Sequence, residues 1–557
     1  MKYSIYIKYN FKQYFLFVII LIVQVVVILY YGNFKLNLFG DEAWTFNLAN
    51  SYFEPFLGDA SKYYDKWLDS NFWNQAVTVS PEHRFSLKSV FYNQSQDVHP
   101  PFYYVIIHII CSFFPGKFNK WFGIVPNILF FVVSQFVIFT TIKRLFSKKC
   151  IALSISIFYG FSWGTINNVL YIRMYALLSL FAVISYAFHL IILNKMTSKC
   201  YICILITSFF GILTQYYFII YEFFLSFGFC IILLTRKKYK ELFFYILGFI
   251  LLAVVVILFY PPIIDQLFGK IGNQGQAAFN NLLSSNFLQR IFAFIHVLSN
   301  DLFGSHILWV IAIILFLLIC SIYITYHINI TNKVNKHQDG ILFCKIQRNH
   351  KCKIYYIDLC MIYSLFCCVG YFFVVSKIAP FFVSRYIVII YPQIVILFFY
   401  LLNKLFYICN IRALYFYIVF FIILFLSCIK MYDKNNLFIY DKNYANIENV
   451  ILKENNDIGF IIVTKFKLWW PTMNEVLTLR RVDKSYMITE NEINSLDTIL
   501  EKYFKSHNSL MLYLASDCNI NDNEFLNILK SKYNAASVEK LDYYCGDIYL
   551  FKFQNKE

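Results

Sequence analysis

YFLFVIILIVQVVVILYY, residues 14–31, is apolar throughout except for Gln24, and a few residues later comes Leu38-Phe-Gly-Asp-Glu-Ala-Trp44. A run of that length crosses the hydrocarbon core of a bilayer as one helix. Lys2, Lys8 and Lys12 precede it, which puts the N-terminus on the cytoplasmic side, and no small-residue cleavage site follows. The run therefore reads as an uncleaved anchor. Asp41 and Glu42 then sit where a first membrane helix leaves the bilayer, a depth at which an ionisable pair is read by default as a functional site. The alternative is that Asp41 merely N-caps a surface helix starting at Ala43. On these two residues alone both readings stand open.

The composition places the rest of the chain in the same solvent. Of 557 residues, 59% are apolar and 15% charged. Soluble proteins carry about a quarter charged residues, so this is a polytopic membrane protein. The 63 Phe and 45 Tyr are as much as a coding bias would give, and no function is drawn from them. The net charge of +17 would point to nucleic acid in a soluble chain. Here the Lys and Arg cluster between apolar runs, as in cytoplasmic loops, so no nucleic-acid partner is expected.

Charge fixes the expected topology. Residues 32–120 form a first external segment, with short amphipathic pieces such as Asp65-Lys-Trp-Leu68. The apolar piece 102–114 is short for a crossing and carries His108, so it is expected to lie flat as an interfacial helix. The next run, 121–141, then goes inward and delivers Lys143, Arg144, Lys148 and Lys149 to the cytoplasm. Runs at 151–169, 176–193, 201–213, 218–235, 242–260, 306–323, 354–375, 385–402 and 414–428 alternate from there, for about eleven spans with the C-terminus outside. Residues 1–430 form the transmembrane domain.

Residues 431–557 read as a small extracytoplasmic α/β domain. Residues 459–463, 510–514 and 547–553 look like strands, and 522–533 has helical periodicity. Of the 15 Cys only Cys518 and Cys545 fall in this domain, with Cys111 on the interfacial helix, so there is no disulfide framework. A Cys518–Cys545 bridge and two separate thiols are both open. His337, Cys344, His350 and Cys352 share a basic loop, but their spacing matches no zinc pattern and a solvated loop is expected.

Four motifs fall on the outer face under this topology: Asp41-Glu42, Asp97-Val-His-Pro-Pro101, Arg173-Met-Tyr-Ala176 and Arg385-Tyr386. The set, in this order, resembles the GT-C glycosyltransferases of family 39, which include the dolichyl-phosphate-mannose protein mannosyltransferases and bacterial relatives that use undecaprenyl-phosphate sugars. Thr214-Gln-Tyr-Tyr217 is similar to a Thr-His-Tyr landmark of that family, with Gln215 in place of His, and the residues before Arg173 depart from the acidic-Ala pair often found there. The resemblance covers about residues 1–430. It implies a GT-C fold with interfacial helices. It also implies an inverting enzyme that moves a sugar from a polyprenyl-phosphate-sugar donor to a glycan, lipid or protein acceptor by one in-line displacement at the anomeric carbon. Membrane lipids and that lipid-linked donor are the expected partners.

The residues suit such chemistry. Transfer from a lipid-phosphate sugar needs a carboxylate to take a proton from the acceptor and cations to stabilise the departing phosphate. Asp41 is the candidate base. Glu42, about 100° away on a helix, would orient a neighbour or the sugar. Arg173 and Arg385 are expected to start membrane helices at the depth of a lipid phosphate, which Arg can clamp bidentately; the alternative is snorkelling. Asp97 and His99 have three open roles: orienting the sugar, holding the loop, or helping to ligate a divalent metal. For His99, packing against Pro100 is equally open. Tyr175, Tyr216 and Tyr386, like Tyr103, Tyr104 and Tyr217, suit sugar stacking or interfacial anchoring.

Two other classes compete. A secondary transporter should carry inverted repeats with broken helices at the midplane; no repeat is visible, and the charged residues sit at helix ends. A polysaccharide polymerase or ligase should centre on a large late outer loop, whereas the loop 261–305 is modest.

Overall fold

The structure is a computed structural model. It describes residues 2–146, 149–269, 274–283, 286–306, 308, 356–408, 413–454, 458–496, 500, 503, 509–519, 526–527, 530–531, 535–542 and 545–553. All of the expected span 306–323 but residues 306 and 308, the basic loop with His337, Cys344, His350 and Cys352, and most of the expected helix 522–533 lie outside these residues. The chain divides into two compact units. A helical unit comprises Met1–Ile28, Asn127–Leu170 and Met174–Tyr432, and a sheet unit comprises Leu29–Pro126, Tyr171–Arg173 and Asp433–Glu557.

Helices run in chain order as α1 Lys2–Asn33, α2 Gly40–Asn50, α3 Ser70–Val77, α4 Leu87–Gln96, α5 Phe102–Ser112, α6 Trp121–Leu145, α7 Lys149–Phe161, α8 Trp163–Leu170, α9 Tyr175–Asn194, α10 Ser198–Ile212, α11 Tyr217–Thr235 and α12 Tyr239–Phe259, with further helices beyond. Among the described residues seven are long and apolar enough to cross a membrane: Tyr14–Asn33, Trp121–Leu145, Tyr175–Asn194, Tyr217–Thr235, Tyr239–Phe259, Tyr356–Ile378 and Val388–Phe406. The protein is a multi-pass helical membrane protein with a small mixed sheet. Phe102–Ser112, Ile151–Phe161, Ser198–Ile212 and Phe416–Tyr432 are shorter apolar helices.

The expected single run 151–169 is two helices. At Ser162 the hydroxyl lies 2.8 Å from both the Tyr159 carbonyl oxygen and Thr165 Oγ1, offering the backbone an alternative to continuing the α7 ladder. One charge also departs from the expected helix-end pattern. Glu222 is buried within α11, accepting from Ser185 Oγ on α9 at 2.7 Å, while His189 Nε2 on α9 lies 2.7 Å from the Tyr245 hydroxyl on α12. In apolar surroundings such bonds tie helices together because the alternative is an unsatisfied polar group.

The sheet unit carries six strands: β1 Trp67–Asp69, β2 Gly459–Thr464, β3 Lys484–Thr489, β4 Ser509–Ala515, β5 Ala535–Asp542 and β6 Gly546–Phe553. Their order is β1-β3-β2-β4-β6-β5. β2 pairs in parallel with both β3 and β4, and the remaining pairs are antiparallel. β2 (GFIIVT) and β4 (SLMLYLA) are buried at every residue, as continuous apolar strands in a parallel centre should be. On one face Ile461, Val463, Ile488, Leu512 and Phe551 pack with Leu496, Leu500 and Tyr503. Each fully buried side chain of this kind contributes about 1.5–3 kcal/mol. On the other face α3 sends Trp73, whose Nε1 donates to Ser485 Oγ at 2.7 Å.

The amphipathic piece around Trp67 is therefore a sheet edge: Trp67 pairs opposite Tyr486, and its ring stacks 5.3 Å from Tyr503. Phe56 stacks 3.9 Å from Trp469, and Tyr64 shares a 2.8 Å hydrogen bond with Thr464. Cys518 and Cys545 stand as thiols, Cys518 donating to the Val463 carbonyl at 3.3 Å.

Candidate functional site

Leu38-Phe-Gly-Asp-Glu leads into α2. The helix begins at Gly40, ahead of the Ala43 start read from sequence, with Phe39 as N-cap, so Asp41 lies inside the first turn and does not cap it. Other groups satisfy the orphan N–H groups of that turn. Phe39 N–H donates to Glu42 Oε2 at 2.8 Å, half of a capping box. Gly40 N–H donates to Asn474 Oδ1 at 2.9 Å. A Cβ on residue 40 would stand 2.6 Å from that oxygen and would force the Asn474 side chain to shift. At the far end Asn93 Nδ2 donates to the carbonyls of Leu48 and Ser51 at 3.1 and 2.8 Å. His108 Nδ1 lies 2.7 Å from the Ala49 carbonyl oxygen. Along α2 every residue is buried except Asp41 and Trp44.

The adjacent carboxylates part company, as side chains about 100° apart on a helix must. Glu42 turns inward and is fully buried. Its Oε2 also accepts from Lys35 Nζ at 2.9 Å, both side chains being 0% exposed, and its Oε1 accepts from Ile172 N–H at 2.7 Å. Lys35 in turn meets the Tyr440 hydroxyl and lies 4.6 Å from the Tyr440 ring centroid. Asp41 stays half-buried, and its Oδ2 accepts from the Tyr171 hydroxyl at 2.9 Å.

Arg173 is buried behind Asp41. Its Nη1 donates to the Asp41 carbonyl at 3.0 Å, Thr45 Oγ1 at 3.2 Å and the Tyr104 hydroxyl oxygen at 3.1 Å. Its Nη2 lies 3.4 Å from His99 Nε2, and His99 Nδ1 lies 2.8 Å from Asp97 Oδ2. Arg can only donate, so this arrangement makes Nε2 the acceptor and puts the ring proton on Nδ1, facing Asp97. Burial pushes Asp97 up, but the His99 ring and then Arg173 outweigh it and hold the carboxyl below its ordinary value. Asp41, Glu42, Asp97, His99 and Arg173, named from three separate stretches of sequence, thus form one connected set in the sheet unit. Among the described residues no three His, Cys, Asp or Glu gather as a metal site, and the Asp97–His99 pair is turned on itself and toward Arg173.

Tyr103 and Tyr104 are buried in the sheet unit, and the other candidates belong to the helical unit. Tyr175 begins α9 and is buried. Gln215 is buried, and its Oε1 accepts from Tyr216 N–H at 2.5 Å, while the Tyr216 hydroxyl meets Gln266. The rings of Tyr217 and Tyr386 lie 5.0 Å apart, and Tyr371 donates to the Tyr386 carbonyl at 2.6 Å. The Arg385 guanidinium lies 5.4 Å from the Tyr386 ring centroid. Arg173 and Tyr175, neighbours in one motif, therefore fall in different units.

Four contributors were not singled out from sequence: Lys35, Tyr171, Tyr440 and Asn474. Tyr171 stands two residues before Arg173 and was within reach of motif reading. Lys35 lies seven residues before Glu42 across a non-helical loop, and Tyr440 and Asn474 lie in the C-terminal part, so no periodicity links them to α2. No protein-family model matches the chain, and no curated protein matches it at a significant level.

Proposed function

We propose that the protein is an inverting, polyprenyl-phosphate-sugar-dependent glycosyltransferase of GT-C type, similar to family 39. It would have about eleven spans, a cytoplasmic N-terminus, and its active site and C-terminal α/β domain on the outer side of the membrane. The observation that carries this reading is the divergence of the carboxylate pair. Glu42 is consumed by Lys35 and two backbone N–H groups, whereas Asp41 is half-buried on a helix whose other residues, Trp44 apart, are buried. One carboxylate that builds and one that faces outward is what a general base beside a positioning residue requires.

In the proposed reaction an acceptor hydroxyl attacks the anomeric carbon as Asp41 takes its proton. The carbon–oxygen bond to the lipid phosphate breaks, and the phosphate leaves with the electron pair. Arg173 fixes the Asp41 backbone through the 3.0 Å bond to its carbonyl, a positioning role added to the phosphate contact expected from the resemblance. Arg385 is the second candidate for stabilising the leaving phosphate. Tyr171 holds one carboxylate oxygen of Asp41 through its hydroxyl.

The test uses membrane vesicles with a radiolabelled polyprenyl-phosphate sugar. Label is expected to move onto an endogenous acceptor with wild-type protein and not with Asp41→Asn. Label that accumulates unmodified inside the vesicles would instead establish a transporter.

A further inference from the structure

We infer that the sheet unit holds a second site, apart from Asp41, that binds a phosphate group between Lys120 and Arg480. A cavity of about 270 Å³ is lined by Lys35, Lys120, Arg480, Arg481 and Glu448 among others. Two of its cations are already neutralised: Lys35 by Glu42 at 2.9 Å, and Arg481 by an ion pair with Glu448. Lys120 and Arg480 have no carboxylate within ion-pair distance among the described residues. Lys120 donates only to backbone carbonyls, those of Asn33 at 3.1 Å and Lys35 at 2.5 Å. Arg480 donates Nε and Nη2 to one neutral oxygen, Asn74 Oδ1, at 3.0 and 2.5 Å, and its guanidinium lies 4.7 Å from the Phe118 ring centroid. Its Nη1 donates to no described protein atom.

Positive charge is thus held here against its own preference. Burial pushes Arg480 down to about 10, with Arg481 adding to the effect. Burial, and then Lys35, lower Lys120, with Asp441 and Glu448 opposing from a distance. An anion in the cavity would reverse both penalties, and a guanidinium fork beside an ammonium suits phosphate oxygens. The location narrows the source. Lys35 comes two residues after the end of α1 and Lys120 one residue before the start of α6, both helices apolar enough to span. The cavity walls therefore adjoin two helix ends at the level of lipid headgroups, so either a phospholipid headgroup or a free phosphate would supply the shared chemistry.

The experiment uses full-length protein in neutral detergent at constant ionic strength. Inorganic phosphate, short-chain phosphatidylglycerol and short-chain phosphatidylcholine are added separately, and thermal unfolding is followed. Phosphate or phosphatidylglycerol is expected to raise the Tm by about 3 °C or more. The shift should vanish in Lys120→Gln/Arg480→Gln. A response to phosphatidylglycerol alone makes the ligand a lipid headgroup; a response to inorganic phosphate makes it a free phosphate group. No shift with either, or the same shift in the double variant, would overturn the inference. Should the double variant not fold, Lys120→Gln alone removes a side chain whose hydrogen bonds go to backbone carbonyls, and equal binding of radiolabelled phosphate to it and to wild type would be equally fatal.

Discussion

Glu42→Gln tests the proposal that one carboxylate of the pair builds the site and the other reacts. Gln has the size of Glu but one oxygen instead of two. In the native site Oε2 takes Lys35 Nζ and Phe39 N–H, and Oε1 takes Ile172 N–H. Whichever way the amide is turned, its NH₂ faces a donor. It also leaves the Lys35 ammonium, at 0% exposure, without its counter-charge. Breaking a buried pair by neutralising one partner costs about 3–5 kcal/mol, and an orphaned buried N–H about 1–3 kcal/mol. The two overlap at one site, so we expect a loss of about 3–5 kcal/mol, against roughly 5–15 kcal/mol for a typical domain. The assay is thermal unfolding followed by intrinsic fluorescence, to which Trp44, Trp67, Trp73, Trp469 and Trp470 of the sheet unit contribute. The double variant Lys35→Met/Glu42→Gln removes the stranded charge and should recover at least half of the loss. If Glu42→Gln melts with wild type, the buried pair does not hold α2, and the division of labour between the two carboxylates fails with it.

Asp41→Asn should behave in the opposite way. It keeps an acceptor for the Tyr171 hydroxyl and loses a half-buried charge near a helix N-terminus, about 0.3–1 kcal/mol. Sugar transfer in vesicles should nonetheless fall by roughly 100-fold or more. Gly40→Ala drives a methyl to within 2.6 Å of Asn474 Oδ1; a loss of about 1–3 kcal/mol is expected, and Asn474→Ala, which strands the Gly40 N–H, should add to it by less than its own cost because both changes remove the same contact. Asp441, which accepts from the N–H groups of Leu36 and Asn37, has its carboxyl pushed up to about 6 by burial, against an ordinary 3.8. The folded unit therefore holds this proton more tightly than the unfolded chain. The stability that Asp441 contributes is present below about pH 4 and is lost as pH rises through about 6. Unfolding measured across that window should show Asp441→Asn with the flatter profile.

What could be read from sequence follows from what each signal is made of. β2, β4 and β6 were visible because a strand buried in a sheet centre writes its burial as a continuous or alternating apolar run. β1 was not, because three residues at an edge carry no period, and what makes Trp67 a strand residue is Tyr486 beside it. The break at Ser162 was hidden for the reverse reason: apolarity continues across it while one hydroxyl interrupts the helix. In the site, Asp41, Glu42, Asp97, His99 and Arg173 were legible as residue types suited to one chemistry. Which carboxylate faces inward was not, because Lys35 and Ile172 decide it from outside the motif.

The pairing of Trp67 with Tyr486 also bears on how the protein is made. Trp73 and Ser485, bonded in the finished fold, lie 412 residues apart in the chain. At about 5–20 residues per second, a ribosome needs roughly 20–80 s to get from one to the other. Throughout that interval Gly40 has no Asn474 to accept from it, Lys35 no Tyr440, and β1 no neighbour. The nascent chain must carry its half-built Asp41 segment through the insertion of every intervening helix, with a strand edge and a buried-to-be ammonium still open. A premature stop between Tyr440 and Asn474 would therefore leave the Gly40 N–H beside Asp41 without its acceptor, though every residue around Asp41 had been synthesised correctly.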